Sequence, residues 1–233
     1  MQKWINYWSK KNIWQDSLLW KKNSIIFFNK TNQFFHYNKQ LNILDIGCGN
    51  GDFINEVKSF SKKIYGIDIS DIFIKICKKK FKKNNNVFIK KYNFNYLKLS
   101  KLKIKFDIVI CNSVIQYFKS EKDVIKLVKT VKKISKKNTQ FLISDIEINK
   151  SKNNKFKMIF YSIIDGYFFA LIGAFINNLY SPEYRIKEKK YKLLKINIDK
   201  LTKKIKSVAK EVKIISNKRL TTNYSRKHIL IKF

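Results

Sequence analysis

The chain has 233 residues, with 51 Lys and Arg against 16 Asp and Glu, a formal net charge of +35. That length accommodates one domain with an elaboration rather than two full domains. With 45% hydrophobic and 15% aromatic residues, the chain can bury a core, which excludes a wholly disordered polypeptide.

The first 40 residues are rich in aromatics. Trp4, Tyr7 and Trp8 follow the i, i+3, i+4 rule of one helical face. Asp16-Ser17 is placed to cap a second helix running through Phe35. Asn42 to Ile46 reads as a short buried strand and Asp52 to Ser59 as a helix. Lys63 to Ile67 is strand-like, and Ser70-Asp71 can cap a helix reaching about Lys82. Val87 to Lys91 is a third strand. Phe106 to Cys111 is a fourth, apolar enough for the centre of a parallel sheet. Val124, Ile125, Leu127, Val128, Val131 and Ile134 form a helical stripe over Glu121 to Ser135. Gln140 to Asp145 is a fifth strand.

After Asp145 the rhythm breaks. Met158 to Leu179 is strongly apolar, interrupted by Asp165, Gly166 and Asn177, and Pro182 ends it. Helical periodicity resumes near Ile198 to Val208, before late strands at Glu211 to Ser216 and Arg226 to Phe233. Strand–helix alternation of this kind predicts a doubly wound α/β sheet, with ligands beyond the carboxyl ends of the strands.

Only six glycines occur in the chain, yet Gly47, Gly49 and Gly51 sit within five positions after the first strand. Glycine there permits a sharp turn and a close approach of main chain to ligand. Asp68 ends the second strand, where a carboxylate can accept hydrogen bonds from both hydroxyls of a ribose. A dinucleotide fingerprint would be Gly-x-Gly-x-x-Gly, facing a pyrophosphate. Here position 52 is Asp and Asp45 precedes the first glycine. Negative charge opposes a pyrophosphate and favours the ammonium of an amino-acid moiety. The loop therefore fits adenosine joined to methionine better than a dinucleotide.

Leu44 to Phe53, Tyr65 to Ser70, Phe106 to Cys111 and Phe141 to Asp145 resemble, in order and spacing, the successive motifs of class I S-adenosylmethionine-dependent methyltransferases. Arg226 to Phe233 resembles that family's final antiparallel strand. The resemblance implies a doubly wound, mostly parallel seven-stranded Rossmann-like sheet with N-terminal helices and a helical cap insert. One domain is expected: 41–149 as the cofactor-binding core, 150–190 as a substrate cap insert, 191–233 as the last helix and strands, and 1–40 as N-terminal helices whose aromatic face reads as a lid over the cofactor or, equally, as ordinary packing against the sheet. S-adenosyl-L-methionine is the implied cofactor, with S-adenosyl-L-homocysteine as product. Gly47, Cys48, Gly49 and their backbone would cradle the methionine and ribose. Asp45 would orient the loop or the amino group, Asp68 would hold the ribose hydroxyls, and Ile69 would line the adenine pocket. Asn93, where many relatives carry an acid, would accept from the adenine amino group, with Phe94 beside it. Cys111, Asn112 and Ser113 would run beside the methionine and the reacting methyl. Gln116 and Tyr117 would face cofactor or substrate, while core packing is an equal reading for Tyr117 and Phe118.

The acceptor is less legible. The Asp/Asn-Pro-Pro-Tyr type of motif of amino-base DNA methyltransferases is missing: Cys111-Asn112-Ser113-Val114 stands there. The Pro-Cys pair of cytosine C5 enzymes is missing too. The basic charge is carried almost wholly by Lys, scattered from Lys3 to Lys232, with Arg only at Arg185, Arg219 and Arg226. Lys, Asn, Ile and Phe share AT-rich codons, so genome bias accounts for this charge better than a dedicated nucleic-acid surface, which favours Arg. A small or medium-sized acceptor, methylated on O or N, is the expected substrate. The alternatives are an RNA or protein methyltransferase using the Lys-rich surface, or an inactive cofactor-binding or membrane-associated protein. For Met158 to Leu179 a buried cap helix is the leading expectation, a membrane-surface helix the second, and a transmembrane span the last, because Asp165 would lie near its middle.

Cys48, Cys77 and Cys111 fit neither a zinc pattern nor a disulfide framework. With only His36 and His228, no His-based metal site is expected. Met1 to Asp16 lacks the apolar core of a secretory signal peptide, and a cytoplasmic location is expected. His36, Asp145 and His228 are candidate bases, each with a stronger structural reading, so no catalytic residue is assigned.

Overall fold

In the computed structural model, which describes residues 2–10, 17–92, 99, 102–148, 155–180, 183–215, 220–223 and 226–233, the short apolar runs become strands. They are β1 (Asn42–Ile46), β2 (Lys63–Asp68), β3 (Val87–Lys91), β4 (Phe106–Asn112), β5 (Ser135–Ile146), β6 (Glu211–Ile215) and β7 (Lys227–Lys232). The helices are α1 (Gln2–Trp8), α2 (Leu18–Phe35), α3 (Asp52–Val57), α4 (Asp71–Lys80), α5 (Glu121–Lys133), α6 (Lys155–Ile164), α7 (Phe168–Tyr180), α8 (Glu183–Tyr191) and α9 (Ile198–Lys206).

The strands form one seven-stranded sheet in the order β3-β2-β1-β4-β5-β7-β6. The first five are parallel, and β7 runs antiparallel to both β5 and β6. Strand order reverses between β1 and β4. Loops leaving neighbouring strands at such a switch point diverge to opposite faces and open a crevice at the carboxyl edge.

Strand periodicity divides the core between the two faces of the sheet. Leu44, Val109, Cys111, Phe141 and Ile143 pack in one apolar cluster with Leu127 and Val131 of α5 and Leu201 and Ile205 of α9. Ile43, Ile108, Ile110 and Leu142, one position out of phase, pack in the other with Phe27 and Phe35 of α2 and Ile54 and Val57 of α3.

Local chemistry sets the helix starts. Ser17 and Ser70 accept the backbone N–H of Trp20 and Phe73, and Asn197 accepts that of Lys200. Each such cap contributes about 0.5–2 kcal/mol.

Two elements differ from expectation. β5 begins at Ser135 rather than Gln140, because Ser135 pairs with Phe106 across a register shift and Asn138 takes a left-handed conformation (φ 69°). The apolar stretch from Met158 is two helices, not one: the chain turns at Asp165-Gly166, with Gly166 at φ 69°. α7 lies against α2, burying Tyr167, Ala170 and Ala174 on that side. Among the described residues, no helix is long and apolar enough to cross a membrane.

Candidate active site

The turn after β1 is held from below. The Gly47 and Cys48 N–H groups both donate to the Ile67 carbonyl, at 2.8 and 3.1 Å, tying the loop to β2. Gly47, Gly49 and Gly51 all have positive φ, at 77°, 53° and 77°. They differ in what surrounds them. A Cβ on Gly47 would stand 2.3 Å from Val114 Cγ2, and one on Gly51 would stand 2.6 Å from the Phe81 ring. A Cβ on Gly49 would meet nothing within 4 Å. Gly47 and Gly51 are therefore packed positions, while Gly49 faces open space.

That space is a cavity of about 450 Å³, within the ~300–1,000 Å³ range of small-molecule sites. It lies in the crevice at the switch point. Asp45, Gly47, Cys48 and Gly49 line it from the first loop, and Asp68 and Ile69 from the end of β2. Asn112 and Ser113 line it from the end of β4, with Gln116, Tyr117 and Asp145 beyond.

Asp68 is fixed by backbone. Its carboxylate accepts the Gly49 N–H at 3.0 Å on one oxygen and the Ser70 N–H at 2.8 Å on the other. Burial raises its pKa, and the Ser70, Gly49 and Ile69 N–H groups pull it back down. Asp45 is also buried, and among the described residues its carboxylate makes no hydrogen bond or ion pair. Burial, and secondarily the charge of Asp68, push its pKa up to about 7. A buried carboxylate without a partner is costly, and a cationic donor in the cavity would relieve it.

Two further acceptors are unsatisfied. Asn112 Oδ1 and Gln116 Oε1 are buried with no hydrogen-bond partner. Ser113 and Asp145 both have φ of 57°, and the Ser113 hydroxyl donates to Asp145 at 2.6 Å. Non-glycine residues held in this region cost about 1–3 kcal/mol and concentrate at functional sites. Thr221 Oγ1 donates to the same carboxylate at 3.3 Å, and Arg226 Nε stands 3.8 Å from it.

Among the described residues, four aspartates line the cavity, Asp45, Asp52, Asp68 and Asp145, with one cation, Arg226; Asp52 is paired with Lys80 at 2.8 Å. Arg226 Nη1 also lies 2.7 Å from Glu147. In a chain of net charge +35, the site has the opposite sign from the surface.

The amino-terminal helices close one side. Trp4, Ile5 and Trp8 of α1 and Trp20, Asn23 and Ser24 of α2 line the cavity. The Ser70 hydroxyl donates to the Trp8 carbonyl at 2.6 Å, seating the end of α1 on the start of α4. Trp4 and Trp8 pack edge-on or tilted against Tyr117 at 5.1 and 5.9 Å between ring centroids.

Eight of the eleven residues expected at the cofactor thus converge on one cavity. Cys111 is not among its lining residues: strand alternation turns its side chain into the core, where burial raises its pKa. Asn93 and Phe94 lie outside the described residues. Tyr117 lines the cavity and Phe118 packs in the core. His228 is 1% exposed. Its Nδ1 accepts the Asp145 N–H at 3.2 Å and lies 2.7 Å from Ser144 Oγ, so the neutral ring carries its proton on Nε2. Burial holds its pKa down at about 4. His36 caps the carboxyl end of α2 in a left-handed conformation. Among the described residues, none of α6, α7 or α8 lines the cavity. Among the described residues, no group of three or more His, Cys, Asp or Glu could hold a metal ion.

Sequence reasoning passed over Trp20, Asn23, Asn223 and Arg226 as lining residues. Arg226 carried a signal, as one of three arginines in a chain rich in lysine.

The sequence of residues 37–197 matches the family model described as Methyltransferase domain. The chain belongs to that family. Its fold is that of the class I S-adenosylmethionine-dependent methyltransferases.

Among solved structures, the N-methyltransferase NodS of Bradyrhizobium japonicum WM9, in complex with S-adenosyl-L-homocysteine, aligns over 100% of this chain and 96% of its own, with TM-score 0.58 and 11% identity. Magnesium protoporphyrin IX methyltransferase of Synechocystis PCC 6803 aligns over 99% and 92%, with TM-score 0.53 and 11% identity. Phosphoethanolamine N-methyltransferase 1 of Haemonchus contortus aligns over 99% of this chain but 47% of its own, with TM-score 0.60 and 11% identity. The chain spans about half the length of several such structures (52%, 47% and 55% of three of them). No curated protein sequence matches it.

Proposed function

We propose that this chain transfers the methyl group of S-adenosylmethionine to the O or N of a small or medium-sized acceptor bound between the aromatic face of α1 and the ends of β4 and β5. The observation that carries the reading is the charge of the cavity. Among the described residues four aspartates and one arginine line it, although the chain as a whole is strongly basic.

The residues present fit the cofactor. Gly49 leaves space a side chain would fill, and Asp45 is a buried carboxylate with no hydrogen bond or ion pair among the described residues. In this reading Asp45 holds the ammonium. Asp68, its two oxygens already oriented by backbone N–H groups, accepts the ribose hydroxyls. Gly47, Cys48 and Gly49 line the path of the methionine and ribose, and Ile69 packs on the adenine. Asn112 and Ser113 stand beside the methionine and the methyl, and Cys111 supports them from the core. On sequence grounds the reading extends to Asn93 and Phe94 at the adenine. When bound, the cofactor supplies an electrophilic methyl on a positively charged sulfur. The side chains position donor and acceptor and exclude water. The rings of Trp4 and Trp8 suit a neighbouring sulfonium.

Gln116 Oε1 supports the acceptor class. A buried acceptor atom without a partner favours a ligand that presents an N–H or O–H. The acidic lining disfavours a polyanion in the cavity, which sets RNA behind a neutral or cationic small molecule.

The test is calorimetry with S-adenosylhomocysteine, followed by transfer of labelled methyl to panels of small amines, small hydroxyl compounds and RNA. Binding with transfer to a small amine or alcohol is expected. Absence of binding would sink the cofactor assignment, and transfer to RNA alone would sink the acceptor class.

A further inference from the structure

The helical insert has an apolar face turned to solvent. On α6, Phe156, Ile159, Phe160, Ile163 and Ile164 are all exposed. Their spacing, i, i+3, i+4, i+7, i+8, is one face of a helix. On α7, Phe169 and Phe175 are 83% and 57% exposed, with Ile172 and Ile176 beside them. Nine of the thirteen large apolar side chains exposed among the described residues therefore belong to these two helices. Soluble monomers rarely expose contiguous apolar patches of this kind without a partner.

α7 is held against the body of the protein by its other side. The opposite side of α7 is already used: Tyr167 and Ala170 are buried against Ile26 of α2. The Tyr167 hydroxyl donates to the Thr222 carbonyl at 3.2 Å, and the Thr222 N–H donates to Asn23 at 2.7 Å. The exposed face thus lies on a braced support.

We infer that the outward face of α6 and α7 docks on an anionic lipid surface, lying in the plane of the interface. Charge selects this occupant. Lys157 in the first turn of α6 and Lys189 and Lys190 at the end of α8 are exposed, and the chain carries +35. An exposed apolar helical face on a strongly basic chain is what an anionic bilayer holds. A second copy of the chain, the other candidate, brings the same positive charge and is repelled. With 10 and 13 residues, the helices are ~15 and ~20 Å long, too short for a hydrocarbon core of ~30 Å. They lie on the surface and do not cross it. This inference is independent of the acceptor and of the cofactor.

Sedimentation with phosphatidylcholine vesicles, with and without phosphatidylglycerol, tests it at low and high salt. The control for charge is a variant combining Phe156→Ser, Phe160→Ser, Phe169→Ser and Phe175→Ser, which keeps every lysine. Circular dichroism and S-adenosylhomocysteine binding verify its fold, and the single Phe169→Ser variant stands in should the combination misfold. The wild type is expected to bind phosphatidylglycerol vesicles and to stay partly bound at high salt. The combined variant should bind about tenfold or more weakly, and the single variant a few-fold more weakly, as follows from lost apolar burial. Three results overturn the inference: no wild-type binding, equal binding of wild type and variants, or a dimer that the same substitutions convert to monomer.

Discussion

The Asp68 carboxylate and the Gly49 N–H meet at 3.0 Å, joining the end of β2 to the glycine of the turn that has open space where a Cβ would stand. The same carboxylate accepts the Ser70 N–H at 2.8 Å. Asp68 therefore shapes the loop and presents its remaining lone pairs to the site in one act.

Replacing Asp68 with Ala removes both contributions. Loss of a charged acceptor costs about 1.5–3 kcal/mol per hydrogen bond, so S-adenosylhomocysteine affinity should fall by about 30-fold or more. The fold should persist, because Ser70 keeps its own cap on Phe73. Calorimetry beside circular dichroism checks this; unchanged affinity in a folded variant would remove Asp68 from the site.

Gly47→Val and Gly49→Val should fail in different ways. Both incur the left-handed strain of a branched side chain, about 1–2 kcal/mol. Gly47→Val also drives its Cβ onto Val114, so its melting temperature should drop further. Gly49→Val meets open space; it should fold and lose the ligand. Thermal melts and calorimetry on the pair separate packing from binding.

Asp45 predicts a pH dependence. Its folded-state pKa is raised to about 7, so the folded state holds this proton more tightly than the unfolded chain does. The stability it contributes is present below the unfolded carboxyl range and is lost as pH rises from about 4 through about 7. Ligand binding runs the other way, because an ammonium needs the ionised form. S-adenosylhomocysteine affinity should rise by up to about tenfold per pH unit on approaching pH 7 and then level off. Asp45→Asn should weaken binding and flatten that profile. An equally steep profile in the variant would show that another group titrates.

His228 should behave as a structural residue. Its pKa is lowered to about 4, so the neutral ring is the folded form. Stability on its account is lost as pH falls from about 6.5 through about 4. His228→Phe leaves the Asp145 N–H without its acceptor, a loss of about 1–3 kcal/mol, and should remove that acid-side decline. Denaturant unfolding between pH 4 and 7 measures both effects. An unchanged stability in the variant would contradict the assignment.

Local pattern determined much of this protein. β1 and β3 run over the residues expected, Asn42–Ile46 and Val87–Lys91, because alternation and turn residues act within a few positions. The glycine turn, Asp68 at the end of β2 and Asn112-Ser113 at the end of β4 were legible for the same reason: each is set by its own strand end, and a switch point gathers strand ends. Tertiary structure alone decided the rest. β5 lengthens through pairing with β4, and Cys111 turns inward because the sheet, not the residue, assigns its face. Arg226 comes to the cavity through the antiparallel pairing of β7 with β5, and Asn23 is brought beside Thr222 across 199 positions of sequence. The break at Asp165-Gly166 was visible as letters. That it leaves two helices with their Phe and Ile facing outward follows from which side of α7 the aromatic α2 had already covered, a choice no local pattern contains.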